Sequence, residues 1–137
     1  MKPKLTYKVF NGDTKNVQML YTCSVWISEF KFIKTEINFL KLLINSYPFK
    51  TMIPNLFEKL QLFILELERF EIDKNSIVNE INLVVIQSNI ALKKDKKEAE
   101  ILKETNFNET SNNVYDYLER YRILKSKIYE FISDLIV

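Results

Sequence analysis

The sequence predicts an all-α fold of three long amphipathic helices, and three observations carry that expectation. Apolar residues recur at alternating spacings of three and four over most of the chain, which is the mark of helices packed lengthwise. The 137 residues include one Gly and three Pro, too few for the turn-rich connections of an all-β or α/β fold. At 47% hydrophobic and 28% charged, the chain has the composition of one globular core rather than of a disordered segment.

The first helix is expected over Ser24 to Ser46. Trp26, Phe30, Ile33, Ile37, Leu40, Ile44 and Tyr47 define its seam, and apolar residues occupy about half its circumference, so it needs neighbours on two sides. Ser24 suits the N-cap, and Pro48 disfavours helix at Tyr47. The preceding residues read differently. Val17, Met19 and Tyr21 stand at every second position, and Leu5, Tyr7 and Val9 alternate with polar residues, with the turn signal Asn11-Gly12-Asp13 between the two sets. Residues 1–22 are therefore expected as an N-terminal arm, either a hairpin or disordered, ahead of one helical-bundle domain over 23–137.

After the short connection at Pro48, Thr51 is a candidate N-cap and Pro54 falls in the first turn of the next helix. The seam resumes as Leu56, Leu60, Phe63, Leu67 and Phe70 and keeps its phase through Lys74 to Ile77, Ile81, Val84, Ser88 and Ala91. No Gly or Pro interrupts it. The expectation is one very long helix from Met52 to Lys103, roughly 75 to 80 Å. The alternative is a break at Asp73-Lys74-Asn75-Ser76 giving a four-helix bundle. The Asn-, Ser- and Thr-rich stretch from Thr105 to Asn113 reads as a linker. A final helix over Ser111 to Ile136 carries Val114, Tyr117, Tyr121, Leu124, Ile128, Phe131 and Leu135 on its seam. The core is expected to centre on Trp26, Phe30, Ile33, Ile37, Leu40, Phe63, Leu67, Tyr121, Leu124 and Ile128.

Composition closes many chemistries. The chain has no His and one Cys, so His-based triads, His-ligated metals and thiolate zinc sites have no ligands to use. Gly12 is alone, so no glycine-rich phosphate loop exists. Basic and acidic residues number 20 and 18, and this near-neutral mixture lacks the usual footprint of a nucleic-acid binder. No run approaches the roughly 18 apolar residues of a membrane span and none resembles a signal-peptide core. A cytoplasmic, non-catalytic protein without cofactor is the expectation. The single Cys23 fits a reducing compartment.

Two acids, Glu29 and Glu36, lie seven residues apart within the apolar arc of the first helix. They are read as ion-pair partners of Arg69, Arg120 or Arg122, the three arginines of the chain. The alternative reading is an oxygen-ligand metal site, with Glu66 or Glu119 contributing from a neighbour. Tyr115, Tyr117, Tyr121 and Tyr129 are read as packing against the first helix with their hydroxyls at the rim, or else as a binding surface. The run Lys93 to Lys97 offers a third reading, nucleic-acid binding, weighed against a solvated helical face with Lys94–Glu98 and Lys96–Glu100 pairs. Asn108-Glu109-Thr110 matches a glycosylation sequon only by chance without secretion.

Trp26, Glu29 and Ile33, with Phe30 and Phe32 alongside and then Glu36 and Leu40, resemble the opening of small, functionally uncharacterised helical proteins of the Bacteroidetes. The resemblance extends in layout over residues 24 to 136 and implies a first helix, a long second one and a third at the C-terminus. It implies no activity, and this chain lacks the histidine those proteins carry in the second helix. The function expected is an interaction or scaffold protein, a homodimer whose second helices cover each other's exposed seam.

Overall fold

The computed structural model describes residues 11–46, 55–93 and 97–135. They form three helices, α1 (Asn11–Ser46), α2 (Leu56–Lys93) and α3 (Lys97–Leu135), and no strand occurs among them. The fold is all-α. At 36, 38 and 39 residues the helices are closely matched in length, each about 55 Å long.

Side-chain pairings fix their directions. Phe63 meets Phe131, Phe70 meets Tyr117, and Gln87 meets Asn106, so α2 and α3 run antiparallel. Asn16 meets Lys103, Phe30 meets Tyr117, and Glu36 meets Lys125, so α1 and α3 run parallel. The chain therefore goes up, down and up as a three-helix bundle. The backbone of α2 lies close to both neighbours, while α1 and α3 meet mainly through long side chains.

The core follows the three-four spacing. On α1 it comprises Asn16, Met19, Cys23, Trp26, Phe30, Ile33, Ile37, Leu40 and Ile44. On α2 it runs from Leu60 through Leu67, Ile77, Ile81 and Val84 to Ser88, and on α3 from Lys103 through Thr110, Val114, Tyr117, Tyr121, Leu124 and Ile128 to Leu135. Nine of the ten expected core residues are buried. Phe63 is half-buried, and Ile64 beside it turns further inward while Phe63 stacks edge-on against Phe131 at 5.6 Å.

Three expectations change. From Asn11 onward the expected arm is part of α1, because Asn16, Met19 and Cys23 carry the core seam back nearly three more turns. Residues 1–10, including Leu5, Tyr7 and Val9, lie outside the described residues, as do Tyr47, Pro48, Thr51 and Pro54. The second helix passes unbroken through Asp73–Ser76, as its phase required, but ends at Lys93 rather than near Lys103. Lys94–Lys96 lie outside the described residues. Ending there lets α3 double back, so that Phe107 stacks on Trp26 at 5.4 Å, a contact a single rod could not make. The rod-like second helix that called for a second copy to cover it is absent.

Finally, the expected linker Thr105–Asn113 is helical. Its polar residues bond across to α2 instead of forming a turn. Asn106 Nδ2 donates to Gln87 Oε1 at 3.0 Å, and Asn113 Nδ2 donates to Glu80 Oε1 at 2.9 Å. Just ahead of α2, Asn55 takes φ of 60°, a left-handed conformation that Asn tolerates better than most residues. Its carbonyl accepts the Lys59 N–H at 3.1 Å.

Candidate functional site

Glu36 sits at the edge of the α1–α3 contact, where the seam turns outward. Its Oε1 accepts a hydrogen bond from the Tyr121 hydroxyl at 2.7 Å, and Lys125 Nζ approaches at 3.2 Å. The partner is thus a lysine one turn beyond Tyr121, not an arginine. Arg120 pairs with Asp116 and lies over the Phe70 ring, and Arg122 pairs with Glu119. Glu29 is exposed two turns away on the same helix. Among the described residues, no group of three or more His, Cys, Asp or Glu side chains converges in a way that could hold a metal. Glu36→Gln is expected to lower the unfolding free energy by about 1–2 kcal/mol, because it removes a charge-assisted, half-buried pair. Glu29→Gln is expected to change it by less than about 0.5 kcal/mol. Denaturant melts of the two variants make the comparison.

The tyrosines divide. Tyr117 is fully buried and donates to the Phe70 carbonyl at 2.9 Å, and Tyr121 is buried against Glu36, whereas Tyr115 and Tyr129 are exposed. Burial raises the phenol pKa of Tyr117, and burial together with the Glu36 carboxylate raises that of Tyr121. Burial likewise pushes the Cys23 thiol from 9.0 to about 11, leaving it a protonated core residue. All three shifts favour the protonated form in the folded state. Their stabilisation is complete below the unfolded pKa values, about 9 to 10, and is lost as pH rises through that range towards the raised values. Unfolding free energy should fall steeply above about pH 9–10, and Tyr117→Phe with Tyr121→Phe should flatten that fall.

The sequence reading passed over a polar pair in the core. Lys103 and Asn16 are both buried at seam positions, and Lys103 Nζ donates to Asn16 Oδ1. Polar residues at such positions fix register at a cost in stability. Nearby, Lys15 and Glu104 pair across the same α1–α3 junction, beside a groove of about 300 Å³ lined by Met19, Thr22 and Phe107. A second groove, of about 500 Å³ between α1 and α2, is lined by Lys34, Lys41, Glu68, Glu71 and Lys74, with Lys41 bridging the two acids. In both grooves the acids pair with a lysine of the same chain.

The most distinctive surface is the outer one. Two positions after each α1 core residue from Met19 to Ile37, about 200° around the helix, stand Tyr21, Val25, Ser28, Phe32, Thr35 and Phe39. Phe32 is 61% exposed and Phe39 54%. On α2 the equivalent line holds Leu62, Leu65, Ile72, Leu83 and Ile86, all exposed, interrupted by Arg69, Ser76 and Asn79. The corresponding line on α3 is Thr105, Glu109, Asn112, Asp116, Glu119, Ile123, Ser126 and Glu130, polar at all but one position. The outer lines of α1 and α2 are therefore more apolar than that of α3, although Leu102, Tyr115 and Tyr129 are also exposed on α3.

No protein-family model, curated protein or solved structure matches this chain. Among the described residues, no helix is long and apolar enough to cross a membrane.

Proposed function

We propose that this protein is a non-catalytic helical interaction or scaffold protein of the cytoplasm that self-associates, with its α-helices acting as coiled-coil-like docking elements. The observation that carries the reading is the exposed apolar line on the outer side of α1, spaced like a second seam. Scattered apolar residues on a surface need no explanation, but a line of them along a helix is what a packed neighbour covers. The corresponding line on α3 is more polar, and that contrast supports the reading.

Static light scattering over a concentration series tests this. The mass should rise from 16.4 kDa towards twice that value as concentration increases. A mass that stays at 16.4 kDa at the highest concentration the protein reaches would remove the basis for self-association.

A further inference from the structure

The groove between α1 and α2 repeats along its length, and one repeat lacks its acids. At the complete repeat, Lys41 Nζ lies 3.0 Å from Glu71 Oε1 and 3.8 Å from Glu68 Oε2. Helices packed lengthwise restore equivalent neighbours about every seven residues. Seven residues back along α1 stands Lys34, and seven on along α2 stand Asn75 and Val78 in place of the two acids. On its own helix, the residues three and four away from Lys34 are Phe30, Lys31, Ile37 and Asn38, so no acid reaches it from there either. Lys74 lines the same groove. The acid at helical spacing from it is Glu71, which Lys41 already holds, and Asp73 lines the groove on the α2–α3 side instead. Neither Lys34 nor Lys74 makes an ion pair among the described residues.

We infer that the α1–α2 groove is an anion-binding site that takes a phosphate dianion, free or as a monoester, on the ammonium groups of Lys34 and Lys74 with the Asn75 amide as a further donor. Charge selects the class of ligand. Two lysines without acids match an anion of charge close to −2, which is what a phosphate monoester carries near neutral pH. Lysine holds such a group as a point charge and needs no planar, two-pronged geometry. The groove encloses about 500 Å³, more room than the phosphate group fills, and Ile72, 70% exposed, gives it an apolar wall against which the carbon part of an ester rests. The site lies away from the outer line of α1, so it is an activity beyond self-association and stands or falls separately.

Amide chemical-shift titration of the isotope-labelled full chain with sodium phosphate and with phenyl phosphate, at fixed ionic strength, tests the site. At about pH 7.5, where the phosphate is mostly doubly charged, both should give saturable shifts centred on Lys34, Lys74 and Asn75. At about pH 5 the affinity should fall, because the anion then carries a single charge. Lys34→Gln and Lys74→Gln should each weaken binding about threefold to tenfold with helix content unchanged. Glu71→Gln removes an acid from the same groove and should tighten binding about threefold, a gain that loss of structure would not produce. Tighter binding of phenyl phosphate than of sodium phosphate assigns the site to a phosphorylated organic ligand, and equal affinity assigns it to the free ion; either result upholds the site. Shifts that never saturate, that spread over all the surface lysines, or that persist undiminished when Lys34→Gln and Lys74→Gln are combined would overturn it. Chloride binding as tight as that of phosphate would overturn the assignment to a dianion.

Discussion

Asn75→Pro is expected to destabilise the protein by about 3 kcal/mol or more. Asn75 is exposed near the middle of α2, so no core contact is lost with its side chain. The effect arises in the backbone, where proline removes the N–H that bonds one turn back and its ring collides with that turn's carbonyl. The damage should spread, because Phe70 and Ile77 on either side are both buried in the core. Asn75→Ala separates backbone from side chain, and it should be neutral or slightly stabilising, since Ala is the better helix former. Denaturant unfolding of both variants reads the difference. A proline variant within about 1 kcal/mol of the parent would mean that the chain turns at this position.

Trp26→Ala should cost about 3–5 kcal/mol, a large share of the roughly 5–15 kcal/mol that holds an ordinary domain together. Trp26 is 6% exposed and stacks on Phe107, with ring centroids 5.4 Å apart and 21° between planes. It fills the α1–α3 contact, where the backbones stand further apart than at the contacts of α2 with its neighbours, so few other atoms could collapse into the cavity. Phe107→Ala should cost nearly as much. The double variant should cost less than the sum, because the two rings share one contact. Native Trp emission should be that of a buried indole, and a maximum typical of a solvated one would contradict this placement.

The seams of all three helices were legible because burial along a helix repeats at a period the sequence displays directly. The start of α1 was less so. Val17, Met19 and Tyr21 stand at every second position and suggest a strand, but a helix with apolar residues on two opposite faces produces the same local alternation. Met19 belongs to the core and Tyr21 to the outer line. The beginning of α3 was hidden by composition, since Asn, Ser and Thr favour turns unless their side chains find partners elsewhere. Glu80 and Gln87 supply those partners. Phe107 and Thr110 continue the α3 seam backward at the right spacing, and that was the available signal. The end of α2 had only the Lys93–Lys97 run near it, and that run reads equally well as a solvated helical face.

Side-chain partnerships were less legible than the helices. The sequence places Glu36 within an apolar arc but does not say whether an arginine or a lysine will reach it. The register between α1 and α3 decides, and it brings Lys125 rather than Arg120 or Arg122. Lys103 and Asn16 were missed for the same reason. Each is an unremarkable polar residue within its own helix, and only the parallel alignment of α1 with α3 makes them a buried pair.

Sedimentation equilibrium of the unmodified protein beside Phe32→Lys, with helix content and melting temperature recorded for both, tests the proposed role most directly. Because Phe32 is exposed, the substitution should leave the fold and its stability close to unchanged while placing a charge in the middle of the α1 outer line. The account predicts reversible dimerisation of the unmodified chain and a folded, equally helical Phe32→Lys monomer of 16.4 kDa. A Phe32→Lys protein that dimerises as strongly as its parent, or a parent that never dimerises, would contradict it.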